Sequence, residues 1–161
     1  MGKIDIENVP VRTGSGYPAP HDAAMAGRSS LRLGDAGGLT QFGANLVILA
    51  PGALSSLRHW HVHEDEFVMV TQGTVTLIQD AGATEMRAGE CAAFPAGDRD
   101  GHHFVNRSDS EARFLVVGTR ADWEEAFYSD IDMRAVLTGG TVEFTRTDGS
   151  PLPRSDTESE G

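Results

Sequence analysis

The chain has 161 residues, enough for one domain of ordinary size and too few for two with substantial cores. It carries 24 Asp and Glu against 13 Lys and Arg, a formal net charge of −11, which repels nucleic acid and anionic lipid and excludes both as expected partners. No run approaches the roughly 20 apolar residues that span a bilayer, the amino-terminal residues show no basic-then-apolar leader pattern, and the single Cys91 cannot form an intramolecular disulfide. A soluble, cytoplasmic protein is expected.

Residues 1–44 are rich in Gly, Pro and Ala, as in Gly14-Ser15-Gly16-Tyr17-Pro18-Ala19-Pro20, and read as an irregular arm. Ile4, Ile6, Val9, Tyr17, Leu31 and Phe42 give the arm apolar side chains with which to pack on a domain. Within it, Leu31 to Asp35 reads as a short strand turning at Gly34.

From Asn45 the pattern changes to short β-rich segments separated by turn residues. Leu46-Val47-Ile48-Leu49 stops at Pro51-Gly52. Glu66 to Thr71 meets Gln72-Gly73, and Thr74 to Ile78 follows, which reads as a tight hairpin with glycine where positive φ is needed. Glu90 to Phe94 and Arg113 to Val117 continue the series. Cys91, flanked by Ala92, Ala93 and Phe94, reads as a buried, inert thiol. Residues 45–120 are therefore expected to form an antiparallel sandwich or barrel. In the extension 121–154, Trp123 to Tyr128 fits either a helical turn or an edge strand, and Thr141 to Thr145 a final strand. The acidic, Ser-rich tail 155–161 predicts disorder.

Five of the six histidines fall in two short runs, Arg58-His59-Trp60-His61-Val62-His63 and Gly101-His102-His103, with Glu66 just past the first. Alternate strand residues share a face, so His59 and His61 point together, and Glu66 opens the next strand. His102 supplies a fourth donor, with His103 the alternative at that place and His63 an alternative to His61. Three imidazoles and a carboxylate without thiolate suit one divalent transition metal, Fe, Mn, Ni, Co or Zn. A carboxylate amid Phe67-Val68-Met69-Val70 needs a partner, because burying it alone is costly. Arg58, Arg99 and Arg107 flank these residues and could hold an anionic ligand. Trp60, Phe67 and Phe104 read as core aromatics, and Glu64-Asp65 as a solvated turn.

His59-Trp60-His61, four residues, Glu66, six residues and Gly73 resembles the first cupin motif, HxH-x(3,4)-E-x(6)-G. Gly89, five residues, Pro95-Ala96-Gly97, then His102 and Asn106 resembles the second, with two extra residues before the histidine. Ala53 stands where the first motif usually has its leading glycine. The resemblance covers about Leu46 to Thr119 and is similar to small bacterial single-domain cupins. It implies an all-β double-stranded β-helix (jelly-roll) barrel and a metal held by His59, His61, Glu66 and His102. It also implies either a metal-dependent enzyme acting on a small polar metabolite, of isomerase, lyase or oxygenase type and sugar-phosphate-isomerase-like, or a non-enzymatic cupin that binds or senses a small molecule. For the enzyme, His63, Glu64 and Tyr17 are the residues that could move a proton, and exposed sheet edges are consistent with a homodimer.

Overall fold

Period-two burial builds most of this molecule. The computed structural model describes residues 2–153, so the tail 155–161 lies outside the described residues. The described strands are β1 (Val11–Thr13), β2 (Arg28–Arg32), β3 (Phe42–Leu49), β4 (His59–His61), β5 (Glu66–Gln72), β6 (Thr74–Gln79), β7 (Gly82–Arg87), β8 (Cys91–Phe94), β9 (His103–Val105), β10 (Ala112–Thr119), β11 (Trp123–Tyr128), β12 (Arg134–Thr138) and β13 (Thr141–Thr145). One short helix, α1 (Leu33–Ala36), follows β2. In β5, Val68 and Val70 are fully buried while Phe67 and Met69 face outward.

The strands form a six-stranded sheet ordered β1-β2-β3-β10-β5-β8, a three-stranded sheet β7-β6-β9 and a four-stranded sheet β13-β12-β11-β4, with antiparallel pairing throughout. The two smaller sheets are joined where His59 of β4 pairs with His102, one residue ahead of β9. The His59 N–H donates to the His102 carbonyl (3.1 Å) and the His102 N–H to that of His59 (2.9 Å). The result is the expected all-β jelly roll, its core formed by Val47, Leu49, Val68, Val70 and Phe114 of one wall against Val75, Leu77, Met86 and Phe104 of the other.

Several local expectations need correction. Gly73 is a turn, with φ of +71°, and a Cβ there would meet the Glu111 carbonyl at 2.9 Å. It does not close a hairpin: β5 pairs with β10 and β8, and β6 with β7 and β9. The two strands lie in facing sheets because each must bury its valines in the shared core, so the chain turns a corner at Gly73. The arm is more regular than its composition suggests, since β1 and β2 extend the large sheet. The strand near Leu31 is β2 and ends at Arg32; Gly34 lies in α1, where a Cβ would meet the Ala44 nitrogen at 2.9 Å. Trp123 to Tyr128 is wholly strand, with Glu124, Ala126 and Tyr128 on its buried face. Cys91 is exposed, not buried, because β8 turns Ala92 and Phe94 inward and leaves Cys91 opposite the outward Met69. Phe67, 41% exposed, is likewise no core residue. Phe104 is, and stacks at a tilt on Phe114 with ring centroids 5.0 Å apart.

Asn106, fully buried, fastens the end of β3 to the turn before β10. Its amide donates to the carbonyls of Leu49 (2.9 Å) and Ser110 (2.8 Å), and its oxygen accepts from the N–H (3.0 Å) and hydroxyl (2.7 Å) of Ser108. Asn106→Ala strands several of these groups and should cost about 2–4 kcal/mol, read as a lower urea midpoint at unchanged slope.

Candidate metal centre

His59, His61, Glu66 and His102 reach one place from three directions. β4 carries His59 and His61 on one face, with Trp60 between them stacked on Phe127 on the other. The backbone pair between His59 and His102 sets the third imidazole beside the first, their ring centroids 5.0 Å apart. Glu66 shares its face of β5 with buried Val68 and Val70 and so arrives from the opposite wall. Donor atoms of His59, His61 and Glu66 all lie within 4.8 Å of one another. His102 joins through Glu66, its Nε2 3.4 Å from Oε1. Phe94 covers His102 face to face, ring centroids 3.5 Å apart.

The groups behind His59 and His61 favour one tautomer of each ring. His59 Nδ1 lies 2.8 Å from the Leu57 carbonyl, which can only accept, so Nδ1 holds the proton and Nε2 is bare. His61 Nδ1 makes no hydrogen bond, but Glu124 Oε1 lies 3.7 Å away, where a proton on Nδ1 suits the carboxylate and leaves the His61 Nε2 bare as well. Those two Nε2 atoms face each other at 3.2 Å, with Glu66 Oε2 3.8 Å from His61 Nε2. Two lone pairs and a carboxylate so placed repel unless a proton or cation stands between them. The carbonyl behind His59 and the carboxylate behind His61 match the arrangement that orients ligating histidines. The donor set therefore fits a borderline divalent ion.

Electrostatics follow from burial. Desolvation, with the neighbouring His61, pushes the His59 imidazole down to about 3. His61 is also desolvated, but Glu124 and Glu66 outweigh that and raise it. Burial would raise Glu66, yet the hydrogen bond to His102 and the surrounding imidazoles hold it below the usual carboxylate range. Glu124 is likewise lowered against its burial, by His61 and by the N–H groups of Val62 (2.8 Å) and His63 (2.9 Å) that it accepts.

A cavity of about 790 Å³ opens onto His59, Glu66 and His102, within the usual size of a small-molecule site. Arg12 to Tyr17 of the arm form a continuous stretch of its wall, joined by Arg28, Ser30 and Arg32 of β2. Tyr17 packs edge-on against Tyr128 (5.5 Å) and Phe144 (5.9 Å). Burial raises its phenol, against weaker opposing effects of Tyr128 and the Leu57 backbone, so it stays protonated at neutral pH.

Other sequence candidates fall elsewhere. His63 packs on Trp123 (4.8 Å), away from the cluster. His103 turns to the opposite face and donates from Nδ1 to the Ser56 carbonyl (3.0 Å). Arg58 pairs with Asp80 and Asp130, and Arg99 lies over Trp60 at 5.6 Å. None of Arg58, Arg99 and Arg107 lines the cavity. Glu64 and Asp65 do more than face solvent: they accept the N–H groups of Ala121 and Ala96, each at 2.8 Å. The sequence reading missed Glu124 and the arm arginines, although the alternation Glu124-x-Ala126-x-Tyr128 and Arg28-x-Ser30-x-Arg32 carried the signal.

A jelly roll with three imidazoles and a glutamate gathered inside it is the arrangement that defines the cupins. The chain belongs to the cupin superfamily: the family model for the cupin domain matches residues 45–118. A crystal structure of a sugar phosphate isomerase of this superfamily from Silicibacter pomeroyi DSS-3 is 59% identical, with a TM-score of 0.93 over 94% of this chain and 97% of that one. A protein from Acidithiobacillus ferrooxidans, proposed to be a sugar phosphate isomerase, is 27% identical, with a TM-score of 0.71 over 80% of this chain and 81% of that one. A polyketide cyclase from Streptomyces resistomycificus shares the fold at 21% identity and a TM-score of 0.61, over 74% of this chain and 79% of that one. No curated protein matches the chain.

Protein purified without added metal should contain close to one divalent transition metal per chain by elemental analysis, and His59→Ala or His102→Ala should lose most of it. Protons compete for the imidazoles, and His61 is the raised one. Apparent affinity should therefore start to fall while the pH is still above the ordinary imidazole value of about 6.5, with release following at lower pH. Glu124→Gln should weaken metal binding roughly 10- to 100-fold at neutral pH.

Proposed function

We propose that the chain is a metal-dependent enzyme of the sugar phosphate isomerase type, acting on a small polyhydroxy metabolite. The observation that carries this reading is the gathering of His59, His61, Glu66 and His102 beside a cavity that His59, Glu66 and His102 line together with the protonated phenol of Tyr17. The isomerase from Silicibacter pomeroyi, 59% identical over nearly the whole chain, supports it.

The four side chains would hold one divalent ion, Fe, Mn, Ni, Co or Zn, which supplies Lewis acidity toward a hydroxy-carbonyl group. The protein's own part is orientation and proton management. Leu57 and Glu124 hold His59 and His61 with their Nε2 atoms facing inward. Phe94, Phe104 and Phe114 line the inner side of the site and restrict water. Tyr17 keeps its proton, so it serves as a hydrogen-bond donor to a substrate oxygen as charge develops there, and not as a base.

A second reading, a cupin that binds or senses a small molecule without turnover, draws on one observation. Apart from Glu66, His59 and His102, the lining residues include no carboxylate or imidazole to take a proton from carbon.

Aldose and ketose phosphates incubated with protein loaded with each metal in turn separate the two readings: interconversion supports the enzyme, and saturable binding without turnover the sensor. In the active form, Tyr17→Phe should lower kcat about 10- to 100-fold at unchanged metal content. An unaltered kcat removes Tyr17 from the chemistry.

A further inference from the structure

Charge inside the cavity runs opposite to charge on the chain. The sequence carries 24 acidic side chains and 13 basic ones. The cavity wall presents Arg12, Arg28 and Arg32 against the single carboxylate Glu66, which the imidazoles already engage. All three arginines come from the β1–β2 ribbon. Arg12 lies directly opposite Ser30, and Ser30 separates Arg28 from Arg32 on one face of β2. Cross-strand partners and alternate residues point the same way, so the three guanidinium groups surround one buried serine.

These arginines also differ from others in the chain in what they touch. Arg58, Arg87, Arg113, Arg120 and Arg134 each sit within 3.2 Å of a carboxylate. Arg28, half-buried, donates only to neutral carbonyls, from Nε to Ser55 (2.6 Å) and from Nη1 to Gly14 (3.0 Å). Arg32 comes no nearer than 3.7 Å to Asp35, which Arg120 already holds. The Arg12 side chain makes no hydrogen bond or ion pair among the described residues, and its charge acts only at longer range on Asp35. Three cations close together repel, and Asp35, the carboxylate that reaches Arg32 and acts on Arg12 from a distance, is already held by Arg120. A ligand bearing two negative charges resolves the repulsion, whereas a single carboxylate satisfies only one guanidinium fork.

We propose that Arg12, Arg28 and Arg32 form a phosphate-binding subsite in the arm-built wall of the cavity, holding the phosphoryl end of a phosphate monoester whose polyhydroxy end faces His59, Glu66 and His102. Arg28 is the fixed member, held by the Ser55 and Gly14 carbonyls. Arg12 and Arg32, both exposed, are the adjustable members. The subsite rests on reading this cavity as the substrate site, but its chemistry does not depend on the ion.

The test is titration calorimetry with inorganic phosphate, and separately with a hexose phosphate and its unphosphorylated sugar, on metal-free and metal-loaded protein. Arg12→Gln and Arg32→Gln remove the charge but keep a polar side chain at exposed positions, and Arg113→Gln on the outer surface is the control; melting temperature and metal content verify that each variant is folded. Phosphate should bind the unaltered protein in both metal states, each cavity variant should weaken it about tenfold, the double variant should lose it, and the control should match the unaltered protein. With active enzyme the same variants should raise KM for the phosphorylated sugar far more than they lower kcat. Undetectable phosphate binding, or binding by the double variant within twofold of the unaltered protein, overturns the subsite. Protein that takes up no metal yet binds phosphate through Arg12 and Arg32 keeps the subsite and rejects the isomerase reading. Protein that isomerises sugars but ignores phosphate does the reverse.

Discussion

Two backbone hydrogen bonds between His59 and His102 hold this architecture at its decisive point. They join the β4-β11 sheet to the β9-β6-β7 sheet, turning two small sheets into one wall opposite the large sheet. The same pair fixes two imidazoles side by side before any side-chain preference acts. Glu66 then needs only the correct parity on β5, facing inward with Val68 and Val70, to complete the cluster. Its contacts at 3.4 Å to His102 and 3.8 Å to His61 are thus products of barrel closure.

Arg58, next to His59, braces that junction. Its guanidinium reaches Asp80 after β6, Asp130 after β11 and the Gly101 carbonyl beside His102. Both aspartates are largely exposed, so the ion pairs themselves add little stability. Their effect is geometric, since three loops that flank the bridge are tied to one side chain. Packing is tight there too: a Cβ on Gly101 would collide with the Ser129 hydroxyl. Behind His61, Glu124 plays the corresponding part for electrostatics, sharing two backbone N–H bonds that keep its charge in place.

The sequence made the barrel legible because its signals are local. Period-two runs, glycine punctuation and the spacing of His59, His61, Glu66 and His102 all lie within short windows. Pairing was less legible. Gln72-Gly73 reads as a hairpin because a turn looks the same whether it returns within a sheet or crosses to the facing one; the core, which needs Val70 and Val75 on opposite walls, decides. Choosing between His102 and His103 likewise needed the strand's parity at the bridge. The arginines were misplaced for a related reason: nearness in sequence favoured Arg58, Arg99 and Arg107, whereas register between β1, β2 and β3 brought Arg12, Arg28 and Arg32 to the cavity. Glu124 escapes notice and Cys91 reads as buried because a segment of uncertain type, or one of small residues, gives no parity to read.

The cavity is written on two separate lengths of sequence. Residues 45–118, which the family model matches, contain His59, His61, Glu66 and His102. Arg12, Tyr17, Arg28 and Arg32 all precede them, in a segment docked along one edge of the large sheet. Anything that enters the cavity therefore meets side chains from both lengths at once. Replacing the leading segment, by recombination or by design, would change that half of the lining without altering a single imidazole.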